Sequence, residues 1–325
     1  SPPIPSPPPP APPGGSEVAC DTGGLSCDDS NYEVVTSNSE WFLYGNYLSI
    51  GISQYGTFGT YNACTNSICT WGWTSILGLQ QDSDGWGQGS TTATGDFFLP
   101  GLKYYMWCIG YRTTANGSWT KLCNDRKESS QQMTGITITD ASDSSETIAG
   151  VTMQWSNSDI QVDATYSFHA CSKKIEILAK ITNLGSGTMY DPSYLIALDP
   201  DNDKDTGGGY ATINSILGQK SEGDDYTSVC AEGPSSGISL CMSTTHPRSY
   251  AYRGLTFTQN PYSVYAEPGD SLQSSGSSTT EDKALILVTY GSNDLAQNEQ
   301  TENIGMYFGL GAVDDVKEPN VEKCT

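Results

Sequence analysis

A run of acidic residues is the stretch of this sequence that could do chemistry. Four aspartates alternate along it, at Asp199, Asp201, Asp203 and Asp205, and glycines follow at 207–209. Oxygen ligands at alternate positions suit Ca²⁺, which accepts about six to eight oxygens in a flexible geometry. The sequence therefore predicts a calcium site at these four carboxylates, and a solvated acidic turn is the alternative.

The segments around this acidic loop determine how it would be held. An apolar run from Tyr194 to Leu198 predicts a buried strand that leaves the core just before Asp199. The loop differs from an EF-hand, because Lys204 occupies the position of the invariant glycine and Tyr210 that of the terminal glutamate. A cation bound here would therefore hold the chain in place at the end of the predicted strand.

No comparable pattern points to catalysis. The two histidines, His169 and His246, lie outside any nucleophile motif, and the sequence has no Gly-x-Ser-x-Gly elbow, phosphate-binding loop or dinucleotide fingerprint. With 37 acidic residues, the presence of two carboxylates gives no specific signal for glycoside hydrolysis. We therefore predict that the chain is not an enzyme.

Charge and composition exclude several classes of partner. The 325 residues carry a formal net charge of −22, which disfavours nucleic acid, whose phosphates need Lys and Arg, and anionic membrane surfaces. No apolar run is long enough to cross a bilayer, so we expect no membrane insertion. We find no signal peptide and expect a mature chain or a fragment of a longer one.

The ten cysteines predict disulfide bonds and an oxidising, extracellular compartment, at the cell surface or in the extracellular matrix. The paired Cys/His spacing that is typical of zinc sites is absent. Four candidate pairs are close in sequence and one is distant: Cys20 with Cys27, Cys64 with Cys69, Cys108 with Cys123, Cys230 with Cys241, and Cys171 with Cys324. Spacing alone leaves the connectivity open.

Alternating apolar residues predict an all-β fold. From Ile160 to Phe168 and from Ile175 to Ile181 every second residue is apolar, which indicates two long antiparallel strands with one buried face each. Two closing strands are predicted at Ala284 to Tyr290 and Ile304 to Leu310. The Ser- and Gly-rich residues 269–282 before them predict a long loop.

Residues 158–310 resemble a domain that recurs in bacterial secreted and surface proteins. In that domain a long strand pair with a TNxGSxT turn leads to a strand ending in DPDxDxDTGG, and a turn with DLA and Glu precedes a closing strand rich in Tyr, Phe and Gly. The corresponding segments here are 182–188, 199–208, 294–299 and 306–309. The resemblance implies a large two-sheet antiparallel β-sandwich, of the supersandwich or jelly-roll kind, and brings no activity with it.

Residues 1–15 are proline-rich and precede the predicted domain at 16–325. Proline fixes φ and lacks a backbone N–H, so the segment predicts an extended polyproline II arm, with a swivel at Gly14 and Gly15. It is either a spacer or an assembly arm that packs on a neighbouring copy. No linker interrupts the chain after it, so we expect one disulfide-stapled domain, with a separate lobe at 16–130 as the alternative.

Glycans are predicted on both parts of the chain. Serine followed by proline runs resembles the hydroxyproline-rich glycoproteins of green-algal and plant extracellular matrix, of the pherophorin and mastigoneme type, whose prolines are hydroxylated and carry sugars. That resemblance implies hydroxyproline and O-glycosylation in the arm, at Pro2, Pro3, Pro5, Pro7, Pro8, Pro9, Pro10, Pro12 and Pro13. The one N-glycosylation sequon begins at Asn116, at a predicted hairpin tip, which suits an occupied site.

These features together predict a structural subunit of an extracellular glycoprotein filament or cell-surface appendage, whose partners are neighbouring copies of itself. The arm of one copy would lie in a groove of the next, and a head-to-tail contact of this kind does not close, so it yields a filament. The alternative is a calcium-dependent carbohydrate-binding adhesin module, in which Trp71, Trp73 or Trp86 stacks on sugars.

Overall fold

The structure is a computed structural model, and it describes residues 32–63, 76–82, 96–97, 105–125, 132–205, 207–256 and 273–319. Several sequence predictions fall outside these ranges. They are the predictions for the prolines of residues 1–15, for the cysteines Cys20, Cys27, Cys64, Cys69 and Cys324, and for the tryptophans Trp71, Trp73 and Trp86.

Strands dominate the described chain. In chain order they are β1 (Glu33–Ser37), β2 (Glu40–Tyr44), β3 (Leu48–Ile52), β4 (Leu79–Gln81), β5 (Tyr105–Arg112), β6 (Trp119–Asp125), β7 (Thr137–Asp140), β8 (Ile148–Ser156), β9 (Ile160–His169), β10 (Lys174–Asn183), β11 (Tyr190–Leu198), β12 (Thr212–Gly218), β13 (Thr227–Glu232), β14 (Ser239–Thr244), β15 (Ser249–Leu255), β16 (Ser278–Glu281), β17 (Ala284–Tyr290) and β18 (Ile304–Gly311). The described ranges also contain a 3₁₀ turn at Lys220–Glu222 and a short helix, α1 (Val313–Val316).

Two large antiparallel sheets form a β-sandwich, so the predicted all-β sandwich is confirmed. One sheet has nine strands in the order β16-β12-β13-β14-β18-β10-β9-β8-β7, and the other has five in the order β15-β17-β11-β5-β6. One apolar core lies between them. At its centre the hydroxyls of Tyr166 on β9 and Tyr194 on β11 lie 3.3 Å apart. The long pair predicted from alternation is β9 and β10, which are neighbours in the nine-stranded sheet.

The five-stranded sheet is buried on both faces. On β11, Tyr194 and Ile196 belong to the main core, whereas Leu195 belongs to a second apolar cluster on the opposite face. Side chains alternate between faces along a strand, so a continuous apolar run is what a strand covered on both sides requires. The disulfide between Cys108 and Cys123 joins β5 to β6 within that second cluster.

A third, four-stranded sheet, β1-β2-β3-β4, packs against the same core. Phe58, just after β3, contacts the ring of Tyr105 on β5 at 4.7 Å, that of Tyr166 at 5.5 Å and that of Phe308 on β18 at 5.2 Å between centroids. The described strands of residues 33–125 therefore share their core with the central strands. The resemblance implied two sheets, and the additional sheet comes from the part of the chain outside that resemblance.

Two connections between the large sheets run side by side at one end of the sandwich. One leaves β11 and enters β12, and the other leaves β16 and enters β17. They are neighbours because β11 pairs with β17 and β12 pairs with β16. Asn214 on β12 is buried, and its side-chain amide donates to the carbonyl of Lys283 in the second connection at 3.2 Å. The predicted acidic loop is the first of these connections.

Candidate cation site and aromatic cleft

The acidic loop begins where β11 ends, and its first two aspartates point into the protein. Asp199 is 3% exposed and Asp201 is 1% exposed. The backbone N–H of Asp201 donates to the carbonyl of Phe97 at 2.9 Å, and its carbonyl accepts from Lys204 N–H at 3.1 Å. These two hydrogen bonds fix the backbone of Asp201, and its carboxylate is buried where the chain crosses between the two sheets.

The carboxylate of Asp201 is in an unfavourable environment. Both of its oxygens are buried, and no hydrogen-bond donor reaches either one within the described ranges. Burial raises the pKa of Asp201 to about 8, and the charge of Asp282 adds to the rise while that of Lys204 opposes it. Burying an ionised carboxylate without a partner costs several kcal/mol, so such groups are usually paired or bind a metal.

Asp203, the third predicted ligand, is buried and hydrogen-bonded. One oxygen accepts from Ser235 N–H at 2.7 Å, and the other accepts from the Ser236 N–H at 3.2 Å and hydroxyl at 2.5 Å. Asp203 therefore anchors the turn between β13 and β14. A side chain at Gly233 would overlap this carboxylate, which explains the glycine in the turn.

Asp205, the fourth predicted ligand, is exposed and also engaged elsewhere. Its carboxylate accepts from the backbone N–H of Asp96 at 2.9 Å. The carboxylate of Asp96 accepts in turn from Gly78 N–H at 2.7 Å and Leu79 N–H at 3.2 Å. Asp205 thus connects the acidic loop to the start of β4.

A carboxylate that the sequence analysis did not select completes the cluster. Asp282 lies in the connection between β16 and β17, and Asp199, Asp201 and Asp282 each place one oxygen within 4.8 Å of the other two. In the sequence Asp282 belongs to the stretch predicted as a long loop, whereas in the structure it directly follows strand β16, Ser278–Glu281. The only feature of the sequence that could have indicated Asp282 as a ligand is its position as an acidic residue shortly before the apolar strand β17.

The described structure also contains a cleft of about 690 Å³, which none of the clustered aspartates lines. Its walls are the β1–β2 hairpin, the turn after β3 and the segment that leads into β7. We name it the aromatic cleft and define it by Thr36, Trp41, Gln54, Tyr55, Ile136 and Ile138. Trp41 and Tyr55 are half-buried, so each ring keeps part of its surface open to a ligand.

Hydrogen bonds from the core hold the cleft in shape. The indole N–H of Trp107 donates to the carbonyl of Tyr55 at 2.9 Å, and the hydroxyl of Tyr166 donates to that of Gly56 at 3.0 Å. On the other wall the indole N–H of Trp155 donates to the carbonyl of Thr134 at 3.2 Å. Because its backbone is fixed by buried donors, the cleft is preformed, which lowers the entropic cost of binding.

The predicted glycosylation site lies in the turn of a hairpin whose two strands are joined by one of the predicted disulfides. Asn116 is exposed in the turn between β5 and β6. Two of the predicted local disulfides are present, and they join Cys108 to Cys123 and Cys230 to Cys241.

The other predicted disulfides involve cysteines outside the described ranges. The pairs of Cys20 with Cys27 and of Cys64 with Cys69 lie wholly outside them, so both pairings stay predictions. Cys171 is described and is disulfide-bonded, but its predicted partner Cys324 is outside the described ranges.

The two histidines are hydrogen-bonded within the fold. His169 Nε2 lies 2.6 Å from the hydroxyl of Thr147. His246 Nε2 lies 2.7 Å from Glu302 Oε1, which also accepts from the hydroxyl of Ser292 at 2.6 Å. In this arrangement the carboxylate contacts both the imidazole and the hydroxyl, whereas a serine nucleophile needs the imidazole as its direct neighbour.

Comparisons with known proteins give a likeness of fold only. No protein-family model matches the chain, and no curated protein sequence matches it. A bacterial glucoamylase complexed with acarbose is similar over 90% of this chain, with a TM-score of 0.45 and 11% identity. A protein assigned as a kojibiose phosphorylase, from the human microbiome, is similar over 88% of this chain, with a TM-score of 0.34 and 10% identity. The chain spans about a third of the length of each, 34% in both cases.

One sequence prediction needs correction after this comparison. The prediction that the chain is not an enzyme is wrong by this comparison, because the two structures named above are those of enzymes. At these TM-scores and identities, the likeness carries no activity, substrate or catalytic residue over to this chain.

In the part of the chain that the structure describes, no helix is long and apolar enough to cross a membrane.

Proposed function

We propose that the chain is a structural subunit of an extracellular glycoprotein filament, assembled head-to-tail through the proline-rich arm of residues 1–15. The observation that carries this proposal is the aromatic cleft. Proline-rich segments bind in the polyproline II conformation to grooves lined by aromatic side chains, and Trp41 and Tyr55 line such a groove. The occupant is the arm of a neighbouring copy.

The lining of the cleft suits such a ligand. Prolines offer apolar rings and backbone carbonyls but no N–H groups, so a receptor surface should combine aromatic faces with hydrogen-bond donors. Trp41 and Tyr55 supply the faces, and the Thr36 hydroxyl and Gln54 amide are polar groups of the same cleft. At a rise of about 3.1 Å per residue, a 15-residue polyproline II arm would extend roughly 45 Å.

The arm and the cleft are different surfaces, so pairing them between copies gives a heterologous contact. Such a contact repeats indefinitely unless its rotation closes into a ring. The disulfides of the described ranges and the exposed sequon at Asn116 fit an extracellular subunit that carries glycans.

Electron imaging of the purified protein tests this proposal. The full chain should form regular filaments, and a version without residues 1–15 should remain as single particles. A Trp41→Ala variant should also fail to assemble, while Tyr210→Ala, which removes an aromatic ring that is 40% exposed and lies outside the cleft, should assemble like wild type. Filaments from the truncated chain would refute the proposal.

A second measurement separates assembly from folding. A synthetic peptide with the sequence of residues 1–15 should quench or shift Trp fluorescence on binding the truncated protein, and the Tyr55→Ala variant should bind it at least about tenfold more weakly. Excess peptide should also stop filament growth by the full chain. If the peptide does not bind although both proteins are folded, the cleft is not the receptor for the arm.

The polar and aromatic lining of the cleft also favours a second function, a carbohydrate-binding adhesin module. Sugars stack on aromatic faces and take hydrogen bonds from hydroxyl and amide groups, and Trp41, Gln54 and Thr36 offer both. A glycan array with wild type and Trp41→Ala distinguishes the two functions. Sugar binding that depends on Trp41, with single particles in the images, would favour the adhesin.

A further inference from the structure

The connections between the two large sheets carry a cluster of acidic side chains that assembly through the aromatic cleft does not explain. Asp199 and Asp201 follow β11, Asp282 precedes β17, and their oxygens lie within 4.8 Å of one another. Three carboxylates at this distance repel one another, and two of them are almost completely shielded from water.

The environment of Asp201 is the second observation that points to a ligand. Its side chain is 1% exposed, and both carboxylate oxygens are buried without a hydrogen-bond donor from the described residues. Lys204 is close in sequence, but its ammonium lies over the ring of Tyr210, 4.1 Å from the centroid, and the described ion pairs include none between it and Asp201. A buried carboxylate with this lack of donors is stable when a cation contacts it.

We propose that Asp199, Asp201 and Asp282 bind a divalent cation, and that the cation is Ca²⁺. The cluster consists of carboxylates without cysteine or histidine, which is the ligand set of a hard cation and disfavours zinc. Ca²⁺ accepts irregular oxygen geometry and completes its shell with water, which the exposed side of Asp282 can admit. Mg²⁺ requires a near-ideal octahedron and is the less suitable ion.

The ion joins two parts of the fold. Asp199 and Asp201 lie on the connection from β11 to β12, and Asp282 lies on the connection from β16 to β17. Binding therefore links the two sheets at one end of the sandwich and stabilises the folded state in proportion to cation occupancy. This role does not depend on filament assembly, and it replaces Asp203 and Asp205 of the sequence-predicted ligand set by Asp282.

Calorimetric titration of CaCl₂ into the EDTA-treated full chain tests the site. We expect one site with a dissociation constant of about 10⁻⁴ to 10⁻³ M, the range of extracellular calcium modules. Asp282→Asn should weaken binding at least about tenfold, because it removes one charged ligand, while Asp225→Asn, which removes an exposed carboxylate outside the cluster, should bind like wild type. No binding by wild type, or wild-type affinity in Asp282→Asn, would overturn the proposal.

Thermal unfolding with and without calcium tests the role of Asp201. In EDTA, Asp201→Asn should unfold at the wild-type temperature or above it, because the substitution replaces a buried acidic group that has no hydrogen-bond donor among the described residues. In calcium, wild type and Asp225→Asn should gain several degrees and Asp201→Asn should gain little. If calcium raises the unfolding temperature of Asp201→Asn as much as that of wild type, Asp201 is not a ligand.

Discussion

Asp282 and Asp201 place carboxylate oxygens within 4.8 Å of each other, although they belong to connections that leave different strands. The contact follows from strand pairing: Leu198 on β11 is opposite Leu285 on β17, and Thr212 on β12 is opposite Glu281 on β16. Both connections therefore cross between the sheets at the same end. Cation binding at this cluster should consequently report whether the two sheets have assembled in register.

Asp203 should be important for stability whether or not calcium is present. Asp203→Ala removes three hydrogen bonds to Ser235 and Ser236, and we expect a loss of about 2–4 kcal/mol in the free energy of unfolding. Ser236→Ala, which removes the hydroxyl alone, should cost about 1 kcal/mol. Urea denaturation in calcium and in EDTA checks both values, and a cost that appears only in calcium would instead make Asp203 a ligand.

Gly56 and Gly237 form a matched pair, because both have φ of +69°. A side chain at Gly56 would overlap Met153 Sδ, whereas nothing lies within 4 Å of the corresponding position at Gly237. Gly237→Ala should therefore cost only the left-handed strain of about 1–2 kcal/mol, and Gly56→Ala should cost at least about 1–3 kcal/mol more. Equal losses in urea denaturation would show that Met153 moves away without cost.

The disulfide between Cys230 and Cys241 should stabilise the hairpin of β13 and β14. The two residues are directly opposite in the register and close a short loop with a sequence separation of 11. Replacing both by alanine should lower the free energy of unfolding by about 3 kcal/mol, mainly through the greater entropy of the unfolded chain. A loss below about 1 kcal/mol would mean that the unfolded chain already keeps these strands together.

Glu302 should make stability depend on acidic pH. Partial burial raises its pKa, but hydrogen bonds from Ser292 and His246 outweigh that effect and lower the pKa from its ordinary value of 4.5 to about 2. A lowered folded-state pKa stabilises the fold above pH 4.5, and this contribution is lost as the pH falls from about 4.5 to 2.

A pH series of chemical denaturation measures this effect. The side chain of Glu302 is 37% exposed, so the gain should be about 1 kcal/mol or less after solvent screening. Glu302→Gln should be less stable than wild type at neutral pH and should flatten the decline in this window. Ser292→Ala should remove part of the effect. An unchanged decline in Glu302→Gln would assign the acid sensitivity to other carboxylates.

The sequence predicted the strands best where one pattern holds over many residues. The alternation from Ile160 to Phe168 lies inside β9, and that from Ile175 to Ile181 lies inside β10. The sequence-based prediction was wrong for part of residues 269–282. Their Ser- and Gly-rich composition predicted a loop, whereas the structure has strand β16 at Ser278–Glu281. The four residues Ser278–Glu281 include no apolar side chain, so no alternating pattern marks them as a strand, and β16 is stabilised by its pairing with β12 rather than by a buried face of its own.

By itself the sequence determined the β class and the position of an acidic loop after β11, and it made Cys108 with Cys123 and Cys230 with Cys241 candidate pairs, because each of these depends on residues close together in the chain. The tertiary structure decided which carboxylates face one another. From their alternate spacing, Asp199, Asp201, Asp203 and Asp205 are equally good candidate ligands. The registers of the two sheets place Asp282 beside Asp199 and Asp201, and the carboxylate of Asp203 accepts hydrogen bonds from the turn after β13. Local patterns fix which residues a strand buries, whereas contacts between connections depend on pairings between distant strands.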